Sequence, residues 1–234
     1  MLRLRRSCDG ERVKERRLWL CEKRFGIDIS DRLVIYLGMP RPSNPDVRRR
    51  LIESGLTLIG KQGFAGSGVA DITASAGVPK GSFYQYFESK QSYAIELLDD
   101  YWSAIEDKHT KVLLDDRYAP LDRIARHFHS IGQDHKQQKY ALGCLIGNLG
   151  VEIAGAGEDA QAKLRQIVKR WASLLSNCLK QAQEVDDLDR KEDVEELAAA
   201  LIESWEGAVM RSKIDRSGAA FKRFETVVLP RLLA

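Results

Sequence analysis

"GVADITASAGVPKGSFYQYFESKQSYAIELL", residues 68–98, holds two short apolar-spaced segments on either side of the turn-forming "AGVPKG". A first helix over Val69 to Ser75, a tight turn at Ala76-Gly77-Val78 and a second helix from Pro79 have the spacing of a helix-turn-helix. Gly77 supplies the positive φ that so sharp a turn demands. Small Ala70 and Ala74 are expected to let the second helix cross the first, over a miniature core of Ile72, Val78 and Phe83.

The second helix opens "PKGSFYQYF". Its first turn offers N–H groups and a positive dipole end to phosphate. Lys80, Ser82, Tyr84, Gln85 and Tyr86 are hydrogen-bonding residues on a helix short enough to enter a major groove. Gln85 is expected to read a base edge and Lys80 to reach a guanine or a phosphate. Tyr84 and Tyr86 are expected to fix register on the backbone, and Lys90, at the start of the next helix, to contact phosphate. For both tyrosines core packing is the competing reading.

Upstream, "SNPDVRRRLIESGLTLIGKQGF" reads as a helix with Asn44 as its cap, Pro45 in first position and a stop near Gly63. Downstream, a longer helix is expected from near Ser89. Further on, Leu164, Ile167, Val168, Trp171, Leu174, Leu175, Cys178 and Leu179 recur at helical steps, as do Val194, Leu197, Ala198, Leu201, Ile202, Trp205, Ala208 and Val209. The acidic "EVDDLDRKED" between them reads as a loop. Such a pair is expected to form half of an intermolecular four-helix bundle; packing inside one subunit is the alternative. No strand pattern appears, so the fold class is all-α: a three-helix N-terminal helix-turn-helix domain and a larger C-terminal helical domain. The expected boundaries are 1–42 for an N-terminal extension, 43–104 for the helix-turn-helix domain and 105–234 for the C-terminal helical domain.

The 234 residues are 44% apolar, enough for a packed core, and no apolar run approaches a membrane span. Residues 1–44 hold 11 Lys and Arg against 6 Asp and Glu, while residues 94–234 hold 20 against 24. A basic front suits a chain that meets nucleic acid with that end. Residues 1–42 are arginine-rich without a sustained helical stripe. Three readings stand open for them: sequence upstream of a true start at Met39, a basic DNA-contacting arm, or a disordered tail. The start lacks the apolar core of a secretory signal, so the cytoplasm is the expected compartment. Cys8, Cys21, Cys144 and Cys178 are too scattered for a disulfide framework or a C-x-x-C zinc site. No metal or cofactor is expected, and no enzyme: His109, His127, His129 and His135 form no H-E-x-x-H pair, His127 and His129 fall on different helix faces, and no G-x-S-x-G elbow occurs.

The 68–98 stretch resembles the N-terminal signature of the TetR family of bacterial repressors, followed here at Asp71, Ile72, Ala76, Gly77, Val78, Gly81, Tyr84, Phe87 and Lys90. One departure is Gly68, where many members carry a threonine that caps the first helix of the motif. The resemblance implies an all-helical homodimer on a palindromic operator in double-stranded DNA. It also implies a C-terminal domain that binds an inducer and dimerises through its last long helices.

"YALGCLIGNLG", residues 140–150, holds the residue of most chemical interest. On a helical wheel, Leu142, Leu145, Ile146, Leu149 and Ile153 share one face, while Cys144 lies opposite beside Tyr140, Gly147, Asn148 and Val151. Tyr140 and Asn148 are thus candidates to line a pocket, and Cys144 reads either as a small core hydrophobe or as a functional thiol. "GCLIGNLGVEI" and "SWEGAVMRSKIDRS" resemble two segments of the TetR subgroup containing the N-ethylmaleimide reductase repressor and the acrylate-utilisation repressor. That resemblance implies a redox and electrophile sensor at Cys144 with Lys213 as its partner. A nearby cation would lower the thiol's pKa and speed its chemistry, and Lys213 is expected to be that cation; its alternative is a snorkelling surface lysine. Two readings of the effector follow: an electrophile or oxidant that modifies Cys144, or a small acid or acyl thioester that binds reversibly beside it.

Overall fold

Proline opens α1 (Pro45–Gln62), where a missing N–H costs nothing, and Gly63 closes it with a φ of 81°. The computed structural model describes residues 44–153, 155 and 157–234, so the expectations for residues 1–42 lie outside the described residues. α2 (Val69–Ser75) has no side-chain cap at Gly68. Asp71 makes up half of the loss by accepting the Gly68 N–H at 3.0 Å. Gly77 takes a φ of 63° in the turn.

The next element, α3 (Lys80–Gln85), is a 3-10 helix and not the expected α-helix from Pro79, which stays extended before it. Ser82 N–H donates to the Pro79 carbonyl at 2.9 Å, and Tyr86 N–H to the Phe83 carbonyl at 3.0 Å. Six residues that include Gly81 and Ser82 are too few to repay α-helix nucleation, and the tighter coil turns Phe83 and Phe87 inward. Ala70 and Ala74 are a second correction. Both are exposed, and the buried side of α2 is made by Ile72, Thr73 and Ala76 instead.

α4 (Lys90–Ile105) starts in a reciprocal cap, Ser89 Oγ accepting the Ser92 N–H at 3.0 Å and Ser92 Oγ the Ser89 N–H at 2.9 Å. It continues through a π turn, Glu106–Thr110, and a 3-10 turn, Lys111–Leu114, so one helical rod crosses from the N-terminal part into the C-terminal part. Tyr93 on α4 donates its hydroxyl to the Leu51 carbonyl at 2.6 Å. A Cβ at Gly55 would stand 1.8 Å from that hydroxyl oxygen, so glycine is what admits the ring.

The C-terminal part comprises α5 (Pro120–Gln137), α6 (Leu145–Ile153), α7 (Glu158–Glu184) and α8 (Val194–Asp215). α9 (Ala219–Arg223), a π turn at Phe224–Val228 and α10 (Leu229–Leu232) complete it. Among the described residues every regular element is helical, and no helix is long and apolar enough to cross a membrane. Most of the stripe residues of α7 and α8 are buried within the chain, against each other and α5, whereas Val168 of the α7 stripe stays exposed. Trp205 of α8 is consumed inside, stacked on Phe221 at 4.8 Å. His127 is a strut in this core: Trp171 Nε1 donates to its Nε2 at 3.0 Å, and its Nδ1 donates to the His109 carbonyl at 2.8 Å. Burial pushes its pKa down to about 4. His129 points outward, to Glu225 at 3.0 Å. The Cys178 thiol donates to the Pro120 carbonyl at 3.1 Å, and burial pushes it up to about 11, as befits a core thiol.

Candidate functional site

Two regions carry polar groups with something to do. The first is the outer side of α3. Lys80, Gly81, Tyr84 and Gln85 are exposed, Tyr84 by 60%. Ser82 and Tyr86 are half-buried, and Tyr86 packs its ring against the core. Of the two open readings, core packing therefore describes Tyr86, and an outward phenol describes Tyr84. Lys90 does not project as expected. Its ammonium donates to the Phe64 carbonyl and lies 4.1 Å from the centre of the Phe64 ring, and burial lowers its pKa. It anchors the loop between α1 and α2.

The second region is a cavity of about 470 Å³ between α6 and α8. Its wall carries Cys144 at the entry to α6, Asn148 and Glu152 from α6, the three spaced at i, i+4 and i+8, and Glu206, Met210 and Lys213 from α8. The wheel drawn from residue 140 needs correction at its start. Lys139, Tyr140 and Gly143 all have positive φ, near 52°, 55° and 73°, and α6 begins only at Leu145. Cys144 is the residue before the helix, its carbonyl accepting the Asn148 N–H at 3.0 Å. Asn148 Nδ2 in turn donates to the Leu142 carbonyl at 3.1 Å and holds the turn. Tyr140 is not in this wall. Its ring lies 6.0 Å from that of Phe221, and its hydroxyl approaches Gly218.

Cys144 is 7% exposed, and its thiol faces the Glu206 carboxylate and the Tyr101 hydroxyl. Burial, and then Glu206, push its pKa well above the ordinary thiol value. The expected effect of Lys213 is therefore reversed: the charge next to the sulfur is an anion. Lys213 shares the cavity but donates its ammonium to the Gly60 carbonyl at 2.9 Å, at the end of α1. Glu152 makes a second such bridge, its two carboxylate oxygens accepting the N–H groups of Phe64 at 2.9 Å and Ala65 at 2.7 Å. The wall that contains the thiol thus grips the N-terminal part at two points, Gly60 and the Phe64–Ala65 amides.

Glu206, Glu152 and Tyr101 are absent from the sequence-based site. A signal existed for Glu206, which falls four residues after buried Ile202 and seven before Lys213, on the inward row of α8. Nothing local marks Tyr101. A second cavity of about 240 Å³, bordered by Lys108, Asp134, His135 and Gln138, meets the first at Gly143. No cluster of three or more metal-ligating side chains occurs among the described residues.

Residues 51–97 match the family described as "Bacterial regulatory proteins, tetR family", and residues 102–228 match "Tetracyclin repressor-like, C-terminal domain". The HTH-type transcriptional repressor DhaR of Mycobacterium sp. (strain GP1) is 36% identical over 187 residues, 80% of this chain and 92% of that protein. The transcriptional regulator AcuR of Cereibacter sphaeroides is 31% identical over 180 residues, 76% of this chain and 82% of its own. The crystal structure of E. coli NemR in its reduced form superposes with a TM-score of 0.69 at 28% identity, covering 81% of this chain and 98% of that one.

Proposed function

The chain belongs to the TetR family and is a DNA-binding transcriptional repressor of that type; from this we propose that it releases its operator when a small electrophile or oxidant modifies Cys144. The observation that carries the reading is the double grip of the cavity wall: the thiol shares its cavity with Glu152 and Lys213, which bridge to Phe64, Ala65 and Gly60. An adduct on the sulfur must displace neighbouring side chains in that wall. Each hydrogen bond involving a charged group is worth roughly 1.5–3 kcal/mol. Loosening both bridges would therefore supply the few kcal/mol that a two-state shift of the recognition segment requires.

The partners in this reading are double-stranded DNA carrying a palindromic operator, a second copy of the chain and the small effector, all in the cytoplasm. The DNA-binding part spans residues 43–104 and the sensing and dimerising part 105–234. Lys80, Gly81, Ser82, Tyr84, Gln85 and Tyr86 form or support the reading surface, with Lys90 positioning it through the α1–α2 loop. For the homodimer, the outer side of α8 and the last turns offer Ala208, Ile214 and Val227, with Ile214 more than half exposed.

One observation favours the reversible alternative: burial and Glu206 hold the Cys144 thiol protonated, and Lys213 and Asn148 set in apolar walls suit a small acid or acyl thioester. An operator-binding titration of wild type and Cys144→Ser with an unsaturated aldehyde separates the two. Covalent sensing requires loss of binding in wild type alone, with an adduct mass on Cys144; equal loss in both proteins sinks it.

A further inference from the structure

Glu206 is an unusual neighbour for a sensing thiol. Its Oε2 lies 2.5 Å from where a Cβ at residue 147 would stand, so glycine at that position is what lets the carboxylate reach α6. Its Oε1 is buried and has no hydrogen-bond partner. Burial raises the pKa of the carboxyl, which makes it a better proton acceptor than an exposed glutamate. The groups facing the thiol are Glu206 from α8, the Tyr101 hydroxyl from α4 and the Gly147 N–H from α6. Lys213 and Glu152 stand further along the wall, each occupied by α1 or the loop after it. His135 borders the narrow space on the far side of Cys144, where Trp102 Nε1 is also buried without a partner.

We propose that Glu206 is the proton acceptor that allows Cys144 to add, as a neutral thiol, to uncharged α,β-unsaturated carbonyl compounds. This rests on the reading of Cys144 as the sensor. As the sulfur bonds to the β-carbon, the alkene electron pair moves toward the carbonyl and forms an enolate. The thiol proton passes to Glu206 and from there to the α-carbon, which restores the carboxylate. The net change is addition of S–H across the double bond, with no oxidant and no leaving group. The same carboxylate opposes thiolate formation, and thiolate is the form that peroxides oxidise. The site therefore selects neutral Michael acceptors over peroxide.

The test is acrolein labelling of the full-length protein, followed over time by peptide mass spectrometry at Cys144 across the neutral pH range. Glu206→Gln is expected to slow labelling roughly 10- to 100-fold near neutrality. Its rate should then rise about tenfold per pH unit, because only thiolate reacts. Glu206→Asp, which keeps a carboxylate, should lose less. Glu206→Gln should also make hydrogen peroxide oxidise Cys144 faster, whereas a loosened fold would speed both reactions. A bystander carboxylate predicts the opposite sign with acrolein, so Glu206→Gln labelling at the wild-type rate or faster overturns the proposal. If wild-type Cys144 takes up no acrolein, the sensing reading and this role fall together. If it is labelled while the operator stays bound, sensing alone falls, and the variant rates still decide the role of Glu206.

Discussion

The recognition segment and the thiol cavity are built on opposite plans. In the first, one short stretch supplies everything: Phe83 and Phe87 turn inward, while Lys80, Tyr84 and Gln85 turn outward from the same turns of chain. In the second, α4, α6 and α8 each contribute side chains, and none has the same meaning without the others. A lysine at 213 suggests an activated thiol; a glutamate at 206, brought nearer to the sulfur, reverses the electrostatics. A local site is defined by which face a residue occupies, whereas an assembled site is defined by which groups become neighbours.

The comparison breaks most visibly at Phe83, which carries the whole inward side of the recognition segment. Phe83→Ala should cost about 3–5 kcal/mol in urea denaturation and abolish operator binding. A loss below about 1 kcal/mol would mean that the segment does not depend on its core.

The frame of the cavity region has its own sensitivity, to acid. His127 and His135 are pushed down to about 4 by burial, whereas an unfolded histidine titrates near 6.5. Between those values the unfolded chain binds more protons, so this contribution is complete above pH ~6.5 and is lost as pH falls toward 4. It amounts to about 3 kcal/mol per histidine. Urea midpoints measured from neutral pH down to pH ~4 check it, and a midpoint that does not fall would contradict it.

Gln85→Ala probes the outward side alone. Operator binding should weaken by about 1–3 kcal/mol in a mobility-shift titration, with the melting temperature unchanged. Equal affinity for the operator would remove Gln85 from base reading.

The smallest effect is expected where the two regions meet. Glu152→Gln keeps an acceptor but removes the charge that Phe64 and Ala65 N–H groups share. Hydrogen exchange at those two amides should quicken about fivefold, equivalent to roughly 1 kcal/mol, and the response to electrophile should be blunted. Unchanged exchange would separate the cavity from the recognition segment.

How far the sequence could be read follows the same division. Helix α2 and the φ of Gly77 follow from short-range chemistry and stand where the 68–98 stretch implies. The winding of α3 and the outward placement of Ala70 and Ala74 do not, because packing of Phe83, Phe87 and Tyr93 sets them. The stripes on α7 and α8 were plain, but a stripe marks burial without saying against what. Here the partners are helices of the same chain. For Tyr140 the wheel failed because positive-φ residues broke the helix it assumed.

By itself the sequence determined the all-helical class, the bounds of α1 and α2, the stripes of α7 and α8, and the family, because these rest on periodicity, turn chemistry and a contiguous motif. Only the tertiary structure decided that Lys90 faces Phe64, that Glu206 faces Cys144, and that Glu152 and Lys213 reach back to the end of α1 and the loop after it. The physical reason is range: a hydrogen bond or a charge acts over a few ångströms of space, and residues far apart along the chain become neighbours only when the core has packed.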